Sequence, residues 1–289
     1  MNIPVICASS YALSLLQKTA SFQVHSVYRK TINLSGGSSL LSLQAFGSPV
    51  SPLSLITCLS LPEMEMLKAA PGIPVQNSPA GLAFSASGEE YIFTLLGTQT
   101  VDSFLRSGLP DHAVPLIRKA LSSAETTGFR ILFPELEANP APPGQFLINE
   151  AAQHLLDQCT ALIRQGNWEM AACFLSRLTG LGIGLTPSGD DFLCGALAGL
   201  ILADMTGHPF FTALKQEVRK HLNQTNDISR AFLSCALLGQ FSQAVCSLSS
   251  ARSAGEILSS FQAIGHSSGT DTLCGIYYIY TALSKEPTV

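Results

Sequence analysis

Gly180-Leu181-Gly182-Ile183-Gly184-Leu185-Thr186-Pro187 leads into Ser188-Gly189-Asp190-Asp191-Phe192-Leu193-Cys194-Gly195. The last eight residues return eighty positions later as Ser268-Gly269-Thr270-Asp271-Thr272-Leu273-Cys274-Gly275, with six of the eight identical and in order. Each copy has the same physical grammar. A glycine, Gly184 or Gly265, precedes a hydroxyl-rich turn. A Ser-x-x-Asp box then predicts a helix start, with Asp191 or Asp271 at the third helical position. Gly195 and Gly275 fall inside the helices that follow, where glycine costs about 1 kcal/mol relative to alanine. That penalty is understandable if the two helices approach closely there.

Working outward, residues 145–289 read as helical. Apolar residues recur at helical spacing over Phe146–Gln165. Asn167 is a good N-cap for Trp168–Leu178. Further helices are predicted at Ser188–Asp204, Phe210–Leu222, Asp227–Leu238, Ala254–Ile264 and Ser268–Leu283. Trp168 reads as a core residue, and Thr225, Asn226, Asp227 and Ser229 as a simple helix start. Before residue 145 the pattern is β-like. Thr31–Leu34 and Ser39–Phe46 flank Ser35-Gly36-Gly37-Ser38 as a hairpin. Leu53–Leu61, Ala80–Ser85, Tyr91–Leu96 and Arg130–Phe133 read as strands, and Val101–Leu105 and Ala113–Ala124 as helices. Pro134 to Gly144 carries four prolines and reads as a linker. The expected class is α+β, with a β-rich domain at 1–144 and a helical domain at 145–289. Whether the β part closes into a barrel or stays an open sheet is left open by the pattern.

Composition bounds the function. The chain has 289 residues, 46% hydrophobic and only 12% charged, with a net charge of −4. Disorder needs the opposite balance. An apolar or hydroxyl-rich surface suits a partner subunit. Nothing exceeds the short run Arg219-Lys220-His221, so no nucleic-acid footprint is present. Mean hydropathy is +0.30, yet the run Phe192–Ala203 is shorter than the roughly 20 residues of a membrane span. Met1–Leu16 is apolar without a basic segment before it, which is weak support for a signal peptide. Eight cysteines occur with no C-x-x-C. They read as reduced core thiols of a cytoplasmic protein.

Two readings of the duplicated motif compete: paired caps in a helical scaffold, or a polar pocket formed where two helix starts meet. In the second, Gly182, Gly184, Thr186, Ser188 and Gly189, with Ser268 and Gly269, form an oxyanion cradle. Asp190, Asp191 and Asp271 orient an NH₂ group or hold a divalent cation such as Mg²⁺. Asp191, Asp271 and His266 are the catalytic candidates, with His266 as acid–base. No nucleophile elbow, Walker loop or H-E-x-x-H occurs.

The two glycine motifs, with Arg29-Lys30-Thr31-Ile32-Asn33-Leu34, resemble a bacterial family long catalogued as a domain of unknown function, the AllH (YlbF) family. The resemblance spans most of the chain. It implies a subunit of oxamate carbamoyltransferase in allantoin and purine nitrogen catabolism, working with FdrA-like and YlbE-like subunits. The implied reaction converts oxalurate and phosphate into oxamate and carbamoyl phosphate. The chain departs from other transcarbamoylases in lacking S-x-R-T-R, and no arginine lies within either glycine motif. A non-catalytic ligand-binding or assembly subunit is the alternative, and a stand-alone enzyme on another small substrate is the third reading.

Overall fold

A computed structural model describes residues 1–136, 146–265 and 267–283. The chain forms two compact units, one of residues 1–104 with 240–243 and one of residues 105–239 with 244–289.

The first unit contains β1 (Asn2–Ser9), α1 (Ser10–Lys18), β2 (Ser21–Tyr28), β3 (Thr31–Gly36), β4 (Ser39–Gln44), β5 (Ser54–Thr57), α2 (Leu61–Met66), β6 (Pro74–Ser78), β7 (Gly81–Ala86), β8 (Glu89–Thr94) and β9 (Gln99–Val101). The strands follow the order β5-β4-β3-β2-β6-β7-β8-β1, and β1 also pairs with β5. Eight strands thus close on themselves as a barrel, with β9 beside β1. The closing pair is antiparallel, Val5 opposite Thr57 and Ala8 opposite Leu55, with a bulge between Val5 and Cys7. Closure removes the free edges that an open sheet would expose. Alternation fixes the register. On β3 and β4, Ile32 faces Leu43 and Leu34 faces Leu41, and all four enter one core with Val24, Val75, Leu82 and Phe93. The β7–β8 turn is Ser87-Gly88, both at positive φ (52° and 83°), the backbone that a two-residue turn of matching twist needs.

The hairpin at 31–46 and the strands within 53–61, 80–85 and 91–96 are present. Val101–Leu105 is not a helix. Gln99–Val101 pairs with β1, and the Asp102 carboxylate then accepts the Phe104 N–H at 3.0 Å. That local bond competes with a helical turn. The apolar spacing of Val101, Phe104 and Leu105 had imitated a helix.

The second unit contains α3 (Ala113–Ser123), α4 (Phe146–Arg164), α5 (Trp168–Ser176), α6 (Ser188–Leu202), α7 (Pro209–His221), α8 (Asp227–Leu237), α9 (Gln243–Cys246, whose first residue is counted with the first unit), α10 (Ala254–Gln262) and α11 (Ser268–Leu283). Arg130–Phe133 is not a strand. Residues Gly128–Leu132 form a 3-10 turn, shortened by Gly128 on one side and Pro134 on the other, and it packs on α11, α6 and α4. The described part of the proline-rich stretch, Pro134–Leu136, is a second 3-10 turn; residues 137–145 lie outside the described residues. The compact units divide at 104/105, well ahead of the change in composition near 145, because α3 and these turns pack with the helices.

At the centre of the helical unit, α6 packs along α11. Every residue of α6 except Cys194 is buried, so a helix apolar all round becomes the core of the unit. Trp168 sits half-buried, edge-on to His208 at 4.6 Å. No described helix is long and apolar enough to cross a membrane.

Candidate functional site at two abutting helix starts

The two copies of the motif meet. A Cβ added to Gly195 would lie 2.0 Å from the Thr272 carbonyl oxygen and 3.1 Å from Gly275 Cα. One added to Gly275 would lie 2.1 Å from the Phe192 carbonyl oxygen. Backbone rests on backbone, as the buried glycines predicted. Six residues back, Gly189 and Gly269 play matching parts. Each would drive a Cβ deep inside van der Waals contact with a preceding carbonyl oxygen, that of Leu178 at 2.0 Å and that of Phe261 at 1.9 Å.

This seam brings the two hydroxyl-rich turns into contact. Thr186 Oγ1 and Ser268 Oγ are 2.7 Å apart. The hydroxyls of Ser268 and Thr186 reach Asp191 of the first motif. Those of Ser188 and Ser267 reach Asp271 of the second. Each motif's serine therefore serves the other motif's carboxyl. This corrects the capping-box reading for α6. Its N-cap is Pro187, and no side chain caps it. The Gly189 N–H bonds the Leu181 carbonyl at 2.8 Å, and the Asp190 and Asp191 N–H groups bond the Pro187 carbonyl. These donors are already engaged within the protein, which weakens the expected backbone cradle for an anion.

The three acidic residues divide into two kinds. Asp190, 1% exposed, accepts the Gly180 N–H at 2.8 Å, Thr225 Oγ1 at 2.5 Å and Ser229 Oγ at 2.6 Å. It is a structural hub that ties the glycine loop to the start of α8. Asn226 caps α8 through the Ile228 and Ser229 N–H groups, while Thr225 and Ser229 turn instead to Asp190. Asp191 and Asp271, 9% and 0% exposed, each keep one carboxyl oxygen, Oδ2, without a hydrogen-bond partner among the described residues. Burial pushes both carboxyls up, Asp271 to about 7 and Asp191 well above the carboxylate range. Proximity to Asp271 raises Asp191 further, since like charges side by side cannot both ionise cheaply. Among the described residues no group of three or more His, Cys, Asp or Glu is placed to hold a metal ion. The engagement of Asp190 elsewhere explains why the three-carboxylate set does not form.

The remaining candidates are spread around this pair. Gly182 folds against the Ser188 N–H side of the turn, where a Cβ would meet that nitrogen at 2.5 Å. Gly184 stands in open space on the loop, between exposed Ile183 (67%) and Leu185 (49%). His266 lies outside the described residues. The Cys194 and Cys274 thiols are pushed up by burial, which makes them poor nucleophiles.

The sequence reading missed a third contributor. The Phe129 N–H donates to Asp271 Oδ1 at 2.6 Å. Gly128 beside it has φ +54°, and a Cβ there would fall 2.2 Å from the same oxygen. The only available signal was a glycine ahead of a short apolar run, which read as a strand.

A closed barrel joined in sequence to a helical unit whose core is a doubled glycine motif defines a class of two-part α+β protein. Family comparison gives the class a name. The model described as oxamate carbamoyltransferase subunit AllH matches residues 178–280, and that of the AllH family N-terminal domain matches residues 5–98. The chain belongs to the AllH family, which makes it a subunit of a multi-subunit transferase. Comparison with curated proteins and with solved structures gave no match.

Proposed function

We propose that the Asp191–Asp271 pair is the ligand site of an oxamate carbamoyltransferase subunit and takes the carbamoyl or ureido group of a small compound. The observation that carries this is the pair of unpartnered Oδ2 atoms, buried side by side and ringed by hydroxyls. Buried polar atoms are almost always satisfied, so two orphans in one place await a partner with N–H and C=O groups.

The transfer follows from their proton states. The oxamate nitrogen attacks the carbamoyl carbon of carbamoyl phosphate. The carbon–oxygen bond to the phosphoryl group breaks, phosphate leaves, and the proton from nitrogen passes to Asp271. In reverse, phosphate oxygen attacks the ureido carbon of oxalurate, the carbon–nitrogen bond breaks, and Asp271 returns the proton to the leaving nitrogen. A carboxyl near 7 suits both directions at neutral pH. Asp191, whose burial and proximity to Asp271 favour the neutral form, donates a hydrogen bond to the reacting carbonyl oxygen. Ser188, Ser268 and Thr186 align the two. FdrA-like and YlbE-like partners complete the enzyme and supply the charge that stabilises the phosphoryl group. Eight cysteines, none of them in a disulfide, support a cytoplasmic setting, and the allantoin pathway supplies the substrate.

A second reading is favoured by exposed Ile183 and Leu185 on the loop beside the site: a ligand-binding subunit whose catalytic groups come from a partner. Thermal unfolding with carbamoyl phosphate, oxamate, oxalurate or phosphate, with and without Mg²⁺, tests the proposal. Ligand at a hundred times its dissociation constant stabilises by about 2.7 kcal/mol. The shift should vanish in Asp191→Asn and Asp271→Asn. A shift that persists in both variants refutes the site. Turnover by the purified chain, compared with the reconstituted complex, separates the two readings.

A further inference from the structure

Arg130 is 1% exposed, and its hydrogen bonds run to main-chain carbonyls. Nε donates to the Leu121 oxygen at 2.6 Å and Nη2 to the Leu136 oxygen at 2.5 Å. Nη1 is buried with no partner among the described residues. A guanidinium is an expensive way to fill apolar space, so its presence asks for a positional reason. The two carbonyls belong to different elements, the last turn of α3 and the second 3-10 turn. The planar fork spans them with fixed geometry. The segment so pinned is the one that carries the Phe129 N–H, 2.6 Å from Asp271 Oδ1. The rings beside it complete the seat, with Phe129 edge-on to Phe192 and Phe133 against Phe192 and Tyr277.

We propose that Arg130 is a positioning residue for Asp271: by clamping Leu121 and Leu136 it holds the Phe129 N–H against the carboxyl and sets how that carboxyl faces the site. Three consecutive residues then share one task. Gly128 leaves room for the carboxyl, Phe129 supplies the donor, and Arg130 fixes both. The meaning of this for turnover rests on the reading of Asp271 given above; the positioning itself does not.

The carboxyl is the reporter. An N–H on Asp271 favours its ionised form, so loosening the clamp should raise the midpoint. The ionisable groups beside it among the described residues are Asp191 from α6 and Cys274 on its own helix, and Arg130 and Glu135 of the turn segment act on Cys274 in turn. Arg118 on α3 and Cys159 on α4 act farther along, on Tyr277 and Tyr278.

The test is a carboxyl-carbon NMR titration of Asp271 in the free full-length chain, native against Arg130→Gln and Arg130→Lys. Lysine keeps the charge but cannot span two carbonyls as a fork. The expected result is a midpoint higher by about one unit in both variants, with the Phe129 amide proton moving upfield. An unchanged midpoint and amide in either folded variant overturns the proposal. A third measurement needs no variant: hydrogen exchange of the Arg130 Nε–H and the Phe129 amide in the native chain. One clamp predicts one opening equilibrium for both, and exchange of Nε–H far faster than that of the amide refutes it. All three are read without ligand, so a failed ligand panel leaves them standing, and their failure leaves the ligand panel standing.

Discussion

Replacing Gly195 by alanine sets two physical effects against each other with opposite signs. Helix propensity alone favours alanine by about 1 kcal/mol in a helix interior. Packing opposes it, since the new Cβ would sit 2.0 Å from the Thr272 carbonyl oxygen, 2.8 Å from its carbon and 3.1 Å from Gly275 Cα. Ordinary contact begins near 3.4 Å, so α6 and α11 must part by more than an ångström along a seam with no side chain to rearrange. Overpacking a core costs typically 1–3 kcal/mol, and backbone atoms put this site at the upper end. The net loss is then about 2 kcal/mol, which for a unit of this size lowers Tm by roughly 4–8 °C. Calorimetry or circular dichroism on Gly195→Ala reads it directly. The same change at Gly255 in α10, where the nearest atom is Ser253 Oγ at 3.9 Å, serves as control and should leave Tm level or raise it. A Gly195→Ala Tm equal to or above native would refute the close-approach argument, because propensity would then have prevailed. Gly275→Ala should behave alike, and the double variant should lose less than the two losses added, since the helices part only once.

Two further outcomes follow from the carboxyls. The folded chain keeps a proton on Asp271 up to about pH 7, whereas its ordinary value is 3.8, so the native state binds more protons than the unfolded state between about pH 4 and 7. Unfolding free energy therefore falls as pH rises through that window, by up to about 1.4 kcal/mol per unit for one proton, and Asp191 adds in the same direction. Urea titrations at pH 5, 6 and 7 should show a flatter slope in Asp271→Asn, and an unchanged slope would contradict the assignment. Asp190→Asn should destabilise by about 3 kcal/mol, because one buried and two half-buried donors share a two-oxygen acceptor that the amide cannot replace; ligand affinity measured by calorimetry on the folded variant should hold, and a loss of binding at full folding would move Asp190 into the site.

Much of this was legible in the sequence because the informative signals were local or repeated. The hairpin at 31–46 announced itself through a glycine turn between apolar runs, and α6 and α11 through a duplicated motif whose interior glycines foretold close packing. Barrel closure could not be read, because the β1–β5 pairing joins strands that no turn connects. The exchange of hydroxyls between motifs was hidden for a similar reason. Ser-x-x-Asp is the same string whether the serine caps its own helix or faces the neighbouring carboxyl. Asp190 and Asp191 are adjacent and alike in sequence, yet one helical step separates a saturated hub from a carboxyl that keeps one oxygen open among the described residues. The Gly128–Arg130 segment was misread because its partner, Asp271, is remote in the chain.

The α6–α11 seam also governs how the molecule can be made. Its two faces are eighty residues apart in sequence, and closing a flexible loop of that length opposes contact by about 4 kcal/mol. Glycine faces offer little attraction until they touch, so the seam gives nothing back along the way. Distant pairings of this sort form slowly. The carboxyl pair comes into being only at that closing step, so the proposed site and the seam arrive as one event.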